Sequence, residues 1–188
     1  MSGEGKLIVI SGPSGVGKST VCGEIMKKPR FERVVTYTTR SPRVGEDMAR
    51  DYHFVSRAEF EAGLDNGVFL EHATVHDNLY GTPRKAVEES IGKGNFVLLN
   101  IDVKGAAQLR GLPDMKNKMT SIFLLPPDEK TLEGRLKGRA TEDPAKVTKR
   151  LQNSREEMLE KDRYDHLVVN DNLEETVREI LERVGYTA

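Results

Sequence analysis

The sequence lacks tryptophan, has a single cysteine and carries almost no net charge. Because Cys22 stands alone, the chain cannot form an internal disulfide, and no spacing of cysteine and histidine suggests a structural zinc site. Lysine and arginine number 29 against 30 for aspartate and glutamate, which gives a formal net charge of −1. Proteins that coat nucleic acid usually need a basic surplus, so we expect no nucleic-acid partner.

Long hydrophobic runs are missing as well. The longest apolar run near the start, residues 7–10, is far shorter than the roughly 20 residues that cross a bilayer. Residues 1–6 also lack the basic region and apolar stretch of a secretory signal. We therefore expect a cytoplasmic protein without a membrane partner, and the sequence leaves a monomer and a homodimer equally open.

Short apolar runs alternate along the chain with amphipathic stretches. Strands buried on both faces, as in parallel sheets, are predicted at residues 7–10, 96–99, 121–125 and 166–169. Helices are predicted at about residues 18–26, 82–91, 103–109, 128–137, 144–160 and 173–184. This alternation predicts an α/β fold whose parallel sheet has right-handed crossovers, and 188 residues suffice for one compact domain with small insertions.

The stretch between residues 34 and 81 breaks the alternation. Its strand candidates, residues 36–39 and 52–55, are short and half polar, which predicts an inserted small α+β subdomain. Residues 138–144 form a polar bridge ahead of a charged helix, a pattern typical of a mobile flap. The expected division is a core at residues 1–33, 82–137 and 162–188, the insertion at 34–81 and a helical lid at 138–161.

A glycine-rich loop between the first strand and the first helix fits G-x-x-x-x-G-K-[ST] at every constrained position. Its residues are Gly12, Pro13, Ser14, Gly15, Val16, Gly17, Lys18 and Ser19, with Thr20 next in the helix. The backbone N–H groups of such a loop point at phosphate oxygens, Lys18 reaches the β- and γ-phosphates, and Ser19 offers a hydroxyl to Mg²⁺. The loop predicts nucleotide binding, and a plain strand-to-helix turn is the alternative.

A phosphate loop alone leaves GTPases, motor ATPases and small-molecule kinases open. The guanine-selecting Asn-Lys-x-Asp tetrad of regulatory GTPases is missing from the sequence, and 188 residues leave little room for mechanical domains. A compact core with an inserted subdomain and an arginine-bearing flap favours phosphoryl transfer between two small nucleotides.

Arg40 and Arg43 stand three residues apart across a Ser-Pro turn, in the segment Thr-Thr-Arg-Ser-Pro-Arg-Val-Gly-Glu at residues 38–46. Their planar forks of donors can converge on one dianionic phosphate, and a solvated loop is the alternative. Together with the phosphate loop, this segment resembles the guanylate kinase family. The resemblance spans nearly the whole chain, through residues 51–55, 69–73, 80–82, 101–105 and 169–171.

The resemblance implies a GMP site. At the GMP phosphate it places Arg40, Arg43, Tyr52 and Tyr80, and around the base it places Thr36, Glu71, Gly81, Thr82, Asn100 and Asp102. An ionised Glu71 can accept from the adjacent N1–H and N2–H₂ donors of guanine, whereas adenine presents a lone pair at N1. Thr36 stands where the family more often has serine, and Asn100 where it commonly has an acidic residue, so Asn100 offers the guanine only a neutral carbonyl.

The resemblance also implies an ATP site with Mg²⁺ as the cofactor. ATP would contact residues 12–20, Arg135, Arg139 and Asn170, with Asn170 at the adenine. The residues with catalytic roles would be Lys18, Arg43, Arg135, Arg139 and Arg150. Ser19, and Asp102 through water, would be the metal ligands. Arg135 and Arg139 lie four residues apart, hence on one helical face if the helix continues.

The expected reaction is Mg²⁺-dependent transfer of the γ-phosphoryl group of ATP to GMP, and also to dGMP, giving ADP and GDP. One alternative is a catalytically inactive guanylate-kinase-like binding module, and another is a small P-loop kinase with a different acceptor. His72 and His76, four apart on a possible helix, lack the glutamate of a zinc motif and are expected to pack or face solvent. Cys22 is expected to be a small core residue.

Overall fold

The computed structural model describes residues 5–47, 52–75, 77–137 and 144–187. The helices and strands within them are β1 (Lys6–Ser11), α1 (Lys18–Ile25), β2 (Phe31–Glu32), β3 (Thr36–Thr38), β4 (Tyr52–Phe54), α2 (Arg57–Asp65), β5 (Phe69–Val75), β6 (Asn78–Pro83), α3 (Arg84–Gly92), β7 (Phe96–Asn100), α4 (Val103–Arg110), β8 (Met119–Leu125), α5 (Glu129–Lys137), α6 (Pro144–Met158), β9 (His166–Val169) and α7 (Leu173–Arg183). A short 3-10 helix, Lys161–Arg163, precedes β9.

The main sheet runs in the order β2-β7-β1-β8-β9, and all of its neighbouring strands are parallel. Side chains of the central strand β1 alternate between its faces: Ile8 and Ile10 pack in a cluster with residues of α1 and α7, whereas Leu7 and Val9 pack in one with residues of α3 and α4. Helices therefore cover both faces of this sheet, as in other parallel α/β proteins. The predicted three-layer α/β fold is confirmed.

The small sheet runs in the order β4-β3-β6-β5, with β3 and β4 parallel and the other pairs antiparallel. Helix α2 begins at a reciprocal capping box, in which Ser56 and Glu59 bond to each other's backbone N–H groups. Its Phe60 is fully buried and stacks on Phe69 of β5 at a ring-centroid distance of 4.5 Å. The small sheet therefore has an aromatic core of its own.

The helix predicted at about residues 82–91 is confirmed as α3, which starts at Arg84 because Thr82 pairs with Glu71 in the sheet. Two other expectations about individual elements are wrong. His72 lies in strand β5, and no helix joins it to the position of His76, which is outside the described residues. Strand β9 is an edge strand and is buried on one face only, since Leu167 and Val169 are 40% and 49% exposed.

The predicted flap falls largely outside the part of the chain that the structure describes. Residues 138–143, which include Arg139, lie outside the described residues. The helix predicted at residues 144–160 is confirmed as α6. Within the described ranges, no helix is both long and apolar enough to cross a membrane.

Replacing Ile8 by alanine tests the central position of β1. Ile8 is fully buried, so the change should lower the free energy of unfolding by about 2–5 kcal/mol through lost burial and a cavity. Denaturant unfolding followed by circular dichroism measures this loss. Leu159→Ala, at a side chain that is 79% exposed, is the control and should change the value by less than about 0.5 kcal/mol. Equal small losses in both variants would contradict the placement of β1.

Candidate active site

The phosphate loop joins β1 to α1 and has glycine where no other residue fits. Gly17 caps α1 with a φ of 103°, and a Cβ placed on it would come within 2.5 Å of Nδ2 of Asn170. Gly12 has a φ of 145°, and its Cβ would come within 2.5 Å of the carbonyl oxygen of Leu124. Both backbone conformation and space therefore require glycine at these two positions.

Side chains from two other elements brace this loop. Asn170 follows β9 and donates from Nδ2 to the Val16 carbonyl oxygen at 2.7 Å, while its Oδ1 accepts from Oγ1 of Thr176 at 3.2 Å. Arg135 on α5 donates to the carbonyl oxygens of Val16 and Asn170 at 3.2 and 3.1 Å. Both residues thus stabilise the loop directly, and their expected contacts with ATP stay predictions.

Two charged side chains bond to the backbone of the loop. Lys18 donates from Nζ to the carbonyl oxygens of Gly12 and Pro13. Oε2 of Glu157 on α6 accepts from the backbone N–H of Ser14 at 3.0 Å. Burial raises the pKa of Glu157, and the charge of Asp102 adds to this, while the Ser14 bond and Lys18 oppose it. Helix α6 therefore contacts the loop through a carboxylate.

A cavity of about 500 Å³ lies beside the loop, within the range typical of small-molecule sites. It is lined by residues of both sheets and of α1. The predicted site residues along its wall are Ser19, Thr36, Tyr52, Glu71, Tyr80, Gly81, Thr82, Asn100 and Asp102. The structure therefore brings both predicted metal ligands, Ser19 and Asp102, and most of the predicted acceptor residues to the same cavity.

Glu71 is the buried charge of this cavity, with only 5% of its surface exposed. The hydroxyl of Thr82, on the neighbouring strand β6, donates to its Oε1. Its Oε2 lies against α4, and a Cβ added to Gly105 of that helix would lie 2.9 Å from this oxygen. Burial raises the pKa of Glu71 and the nearby charge of Asp102 adds to this, while the Thr82 bond acts in the opposite direction.

Arg40 is oriented by a carboxylate before any ligand arrives. Its NH1 and NH2 donate to the two oxygens of Glu46 at 3.0 and 2.8 Å, and its guanidinium lies 5.4 Å from the ring centre of Tyr52. Hydrogen bonding to Arg40 is the main cause that lowers the pKa of Glu46. Arg43 is exposed, and its backbone N–H donates to the same carboxylate at 2.7 Å. The structure thus brings the Arg40 guanidinium to the Tyr52 ring, whereas the Arg43 side chain is exposed.

The end of β7 and the start of α4 complete the cavity near the loop. Asn100 donates from Nδ2 to the Ser19 hydroxyl at 3.3 Å. Oδ1 of Asp102 accepts from the Gly105 N–H at 2.8 Å and caps α4. The described residues contain no cluster of three His, Cys, Asp or Glu side chains for a metal. A nucleotide-bound Mg²⁺ needs only one or two protein ligands, so Ser19 and Asp102 fit such an ion.

Sequence reasoning missed several residues of this site. Arg33 lines the cavity with its guanidinium 5.8 Å from the Tyr52 ring centre. Glu46, the last residue of the segment at 38–46, orients Arg40, a role that the sequence alone does not indicate. Cys22 is a core residue as predicted, and burial raises the pKa of its thiol to about 12, yet it also lines the cavity. The spacing of four residues between Cys22 and Met26, which also lines the cavity, is the signal in the sequence that could have placed Cys22 there.

Two further arginines are predicted for the ATP side. Arg150 lies on α6 and does not line this cavity, and Arg139 is outside the described residues.

Comparisons with known proteins point to one family. A family model described as guanylate kinase matches residues 4–185. A guanylate kinase of Mesoplasma florum is 46% identical over 182 residues, which cover 96% of this chain and 60% of that protein. One of Carboxydothermus hydrogenoformans is 42% identical over 178 residues, which cover 94% of this chain and 86% of that protein. The chain thus spans less than two thirds of the first relative and most of the second.

Solved structures agree in fold. A shikimate kinase from Bacteroides thetaiotaomicron is 13% identical with a TM-score of 0.51, covers 96% of this chain and 98% of its own, and shows the fold alone. A guanylate kinase from Anaplasma phagocytophilum is 33% identical with a TM-score of 0.74, covering 100% of this chain and 89% of its own. Because a family model spans residues 4–185 and full-length relatives are this similar, the chain belongs to the guanylate kinase family.

Proposed function

We propose that this protein is a guanylate kinase, which transfers the γ-phosphoryl group of ATP to GMP, and also to dGMP, giving ADP and GDP. One observation carries the proposal: a single cavity is lined both by Ser19, next to the phosphate loop, and by the buried pair of Glu71 and Thr82. A phosphate donor and a base with paired N–H donors can therefore be bound side by side.

The GMP phosphate is assigned to Arg40, Arg43, Tyr52 and Tyr80. Because Glu46 already holds the Arg40 guanidinium in a two-point ion pair, little side-chain freedom is lost when a phosphate binds. The phenols of Tyr52 and Tyr80, whose rings lie 5.9 Å apart, can donate to further phosphate oxygens.

The guanine is assigned to Glu71, with Thr36, Gly81, Thr82 and Asn100 around it. The buried carboxylate accepts from N1–H and N2–H₂, and this contact is strong because water is excluded from it. Adenine would place its N1 lone pair against the carboxylate and leave the carboxylate partly unpaired. Sites of this kind discriminate by up to about 10⁴–10⁵.

The triphosphate of ATP is assigned to residues 12–20 of the phosphate loop. Lys18, Arg135, Arg139 and Arg150 neutralise the charge that spreads over the transferring group, and a single such arginine can contribute about 10³–10⁵ in rate. Asn170 is assigned to the adenine. Mg²⁺, held by Ser19 and through water by Asp102, neutralises negative charge on the phosphates when it is bound.

This chain needs no side chain as nucleophile, because an oxygen of the GMP phosphate is already anionic and attacks in line. Its residues bind, orient and neutralise the two nucleotides. The small sheet with α2 corresponds to the proposed GMP-binding subdomain at residues 34–81, and α6 to the described part of the lid at 138–161. Closure of both around the substrates would exclude water, since ATP hydrolysis is the side reaction. We further propose a cytoplasmic monomer or homodimer.

A coupled assay of ADP formation tests the activity. Equal concentrations of GMP, dGMP, IMP, AMP and CMP are offered with ATP and Mg²⁺, alongside a blank that has ATP alone. GMP should give the highest kcat/KM, dGMP should follow, and AMP and CMP should stay near the blank. If no acceptor exceeds the blank, the binding-module alternative replaces the enzyme, and if another acceptor exceeds GMP, a different small kinase does.

Lys18→Ala tests the phosphate loop. Loss of the ammonium should remove measurable turnover, at least about 10²–10³-fold in kcat, because it takes away a preorganised positive charge at the phosphates. Circular dichroism should show an unchanged fold. The control is Lys85→Ala, whose side chain is 91% exposed and whose activity should stay at the wild-type level. Full activity of Lys18→Ala would exclude the mechanism.

Glu71→Gln tests the guanine contact through both specificity and pH. Losing a charged acceptor should lower kcat/KM for GMP by roughly 10–150-fold and erode the preference over AMP. In the wild type, GMP binding needs the ionised carboxylate of Glu71. Because burial raises the pKa of Glu71 above the usual glutamate value of about 4.3, kcat/KM for GMP should fall as the pH drops through that raised pKa.

The acidic fall should vanish in Glu71→Gln, because the amide does not titrate. Glu61→Gln, at an exposed carboxylate of α2, is the matched control and should keep the wild-type profile. An unaltered ratio of GMP to AMP in Glu71→Gln would remove Glu71 from base recognition.

A further inference from the structure

The outer edge of strand β5 is bound by a side chain of helix α4. In the small sheet β5 is an edge strand, with β6 on its other side. Oε1 of Gln108 accepts from the His72 backbone N–H at 3.0 Å, and Nε2 of Gln108 donates to the His72 carbonyl oxygen at 2.7 Å. These are the two bonds that a residue of a neighbouring antiparallel strand would make. The Gln108 amide therefore takes the place of a further strand.

This contact lies directly beside the buried carboxylate. Glu71 precedes His72, so its side chain projects from the opposite face of the strand. Its Oε2 lies against Gly105, and Gly105 and Gln108 are three residues apart on one face of α4. The same helix face thus leaves room for the carboxylate and binds the backbone next to it.

Helix α4 is in turn fixed to the main sheet. Asp102 follows β7, caps α4 and lines the cavity with Ser19. Leu109 and Ala106 of α4 are buried in the core cluster beneath the main sheet. The Gln108 contact therefore ties β5, with Glu71 on it, to a helix that is fixed to the main sheet.

We propose that Gln108 is a positioning residue for the acceptor, which fixes the guanine-binding carboxylate by docking β5 on α4. The inference rests on the proposed function, since it concerns how Glu71 meets GMP. His72 is exposed, so water can replace the lost partner and the fold should survive without the amide. What changes is the placement of Glu71, on which GMP binding depends far more than ATP binding does.

Gln108→Leu removes both bonds and keeps a side chain of similar size. We expect KM for GMP to rise about tenfold, with kcat and the KM for ATP changed by less than about twofold. The preference for GMP over IMP, which lacks the N2 amino group, should shrink as well. Gln152→Leu, at an exposed glutamine of α6, is the matched control and should behave as wild type.

Gln108→Glu separates positioning from packing. An ionised glutamate can accept from the His72 N–H but opposes the His72 carbonyl oxygen, whereas a protonated one has both a donor and an acceptor like the amide. The ratio of its GMP KM to that of wild type should therefore fall toward one as pH is lowered toward about 4.3. Loss of packing alone would leave this ratio independent of pH.

Each outcome decides the inference. A raised GMP KM in Gln108→Leu, with pH-dependent recovery in Gln108→Glu, supports it. An unchanged GMP KM in an active Gln108→Leu variant overturns the inference. An equal rise in the KM values for GMP and ATP, together with a lowered unfolding midpoint, overturns it as well. Both outcomes leave the proposed guanylate kinase activity standing. A wild-type protein without GMP-dependent ADP formation removes the proposed function and this inference together.

Discussion

The phosphate loop keeps its shape because strand β8, the residue after β9 and helix α5 supply its partners. The carbonyl of Val16 points into the protein, where Asn170 and Arg135 donate to it, and Gly12 passes against the backbone of Leu124. Leu124 and Asn170 stand at the carboxyl ends of β8 and β9, where the parallel strands of the sheet end together. Asn100 and Asp102 stand at the carboxyl end of β7, and Asn100 donates to the Ser19 hydroxyl. The phosphate loop and the predicted metal ligands therefore lie close together because of one feature of the fold.

Charge is placed locally in a chain whose total charge is nearly zero. The cavity has a buried carboxylate, Glu71, with a neutral hydroxyl as partner, whereas Arg40 pairs with Glu46, and these two side chains are 15% and 21% exposed. Burying a carboxylate is costly, which is why the pKa of Glu71 is raised, and a ligand with two N–H donors would relieve this cost. In the proposed guanine contact, a base that presents an acceptor there would leave the cost of burial in place, so burial would be the source of the discrimination.

The local parts of this site were predictable from sequence, and the long-range parts were not. The order strand, glycine loop, helix is fixed by neighbouring residues, so β1, the loop and α1 were predicted within two residues. His72 was misplaced because a four-residue histidine spacing suggested a helix, whereas pairing of β5 with β6 determines its structure. The contact of Glu157 with Ser14 joins residues 143 positions apart, and no local pattern signals such a pair.

The two sheets share no strand among the described residues, so their relative placement must come from side chains and helices. Helices α3 and α4 both contact the two sheets. The capping residue of α4, Asp102, belongs to the cavity wall near the loop, and Gln108 of α4 binds the backbone of β5. A contact made by one amide is easier to shift than a hydrogen-bonded strand pair, because it involves two bonds instead of a ladder. The Gln108 contact therefore holds β5, and with it Glu71, on α4 through two bonds that are separate from the ladder of the small sheet.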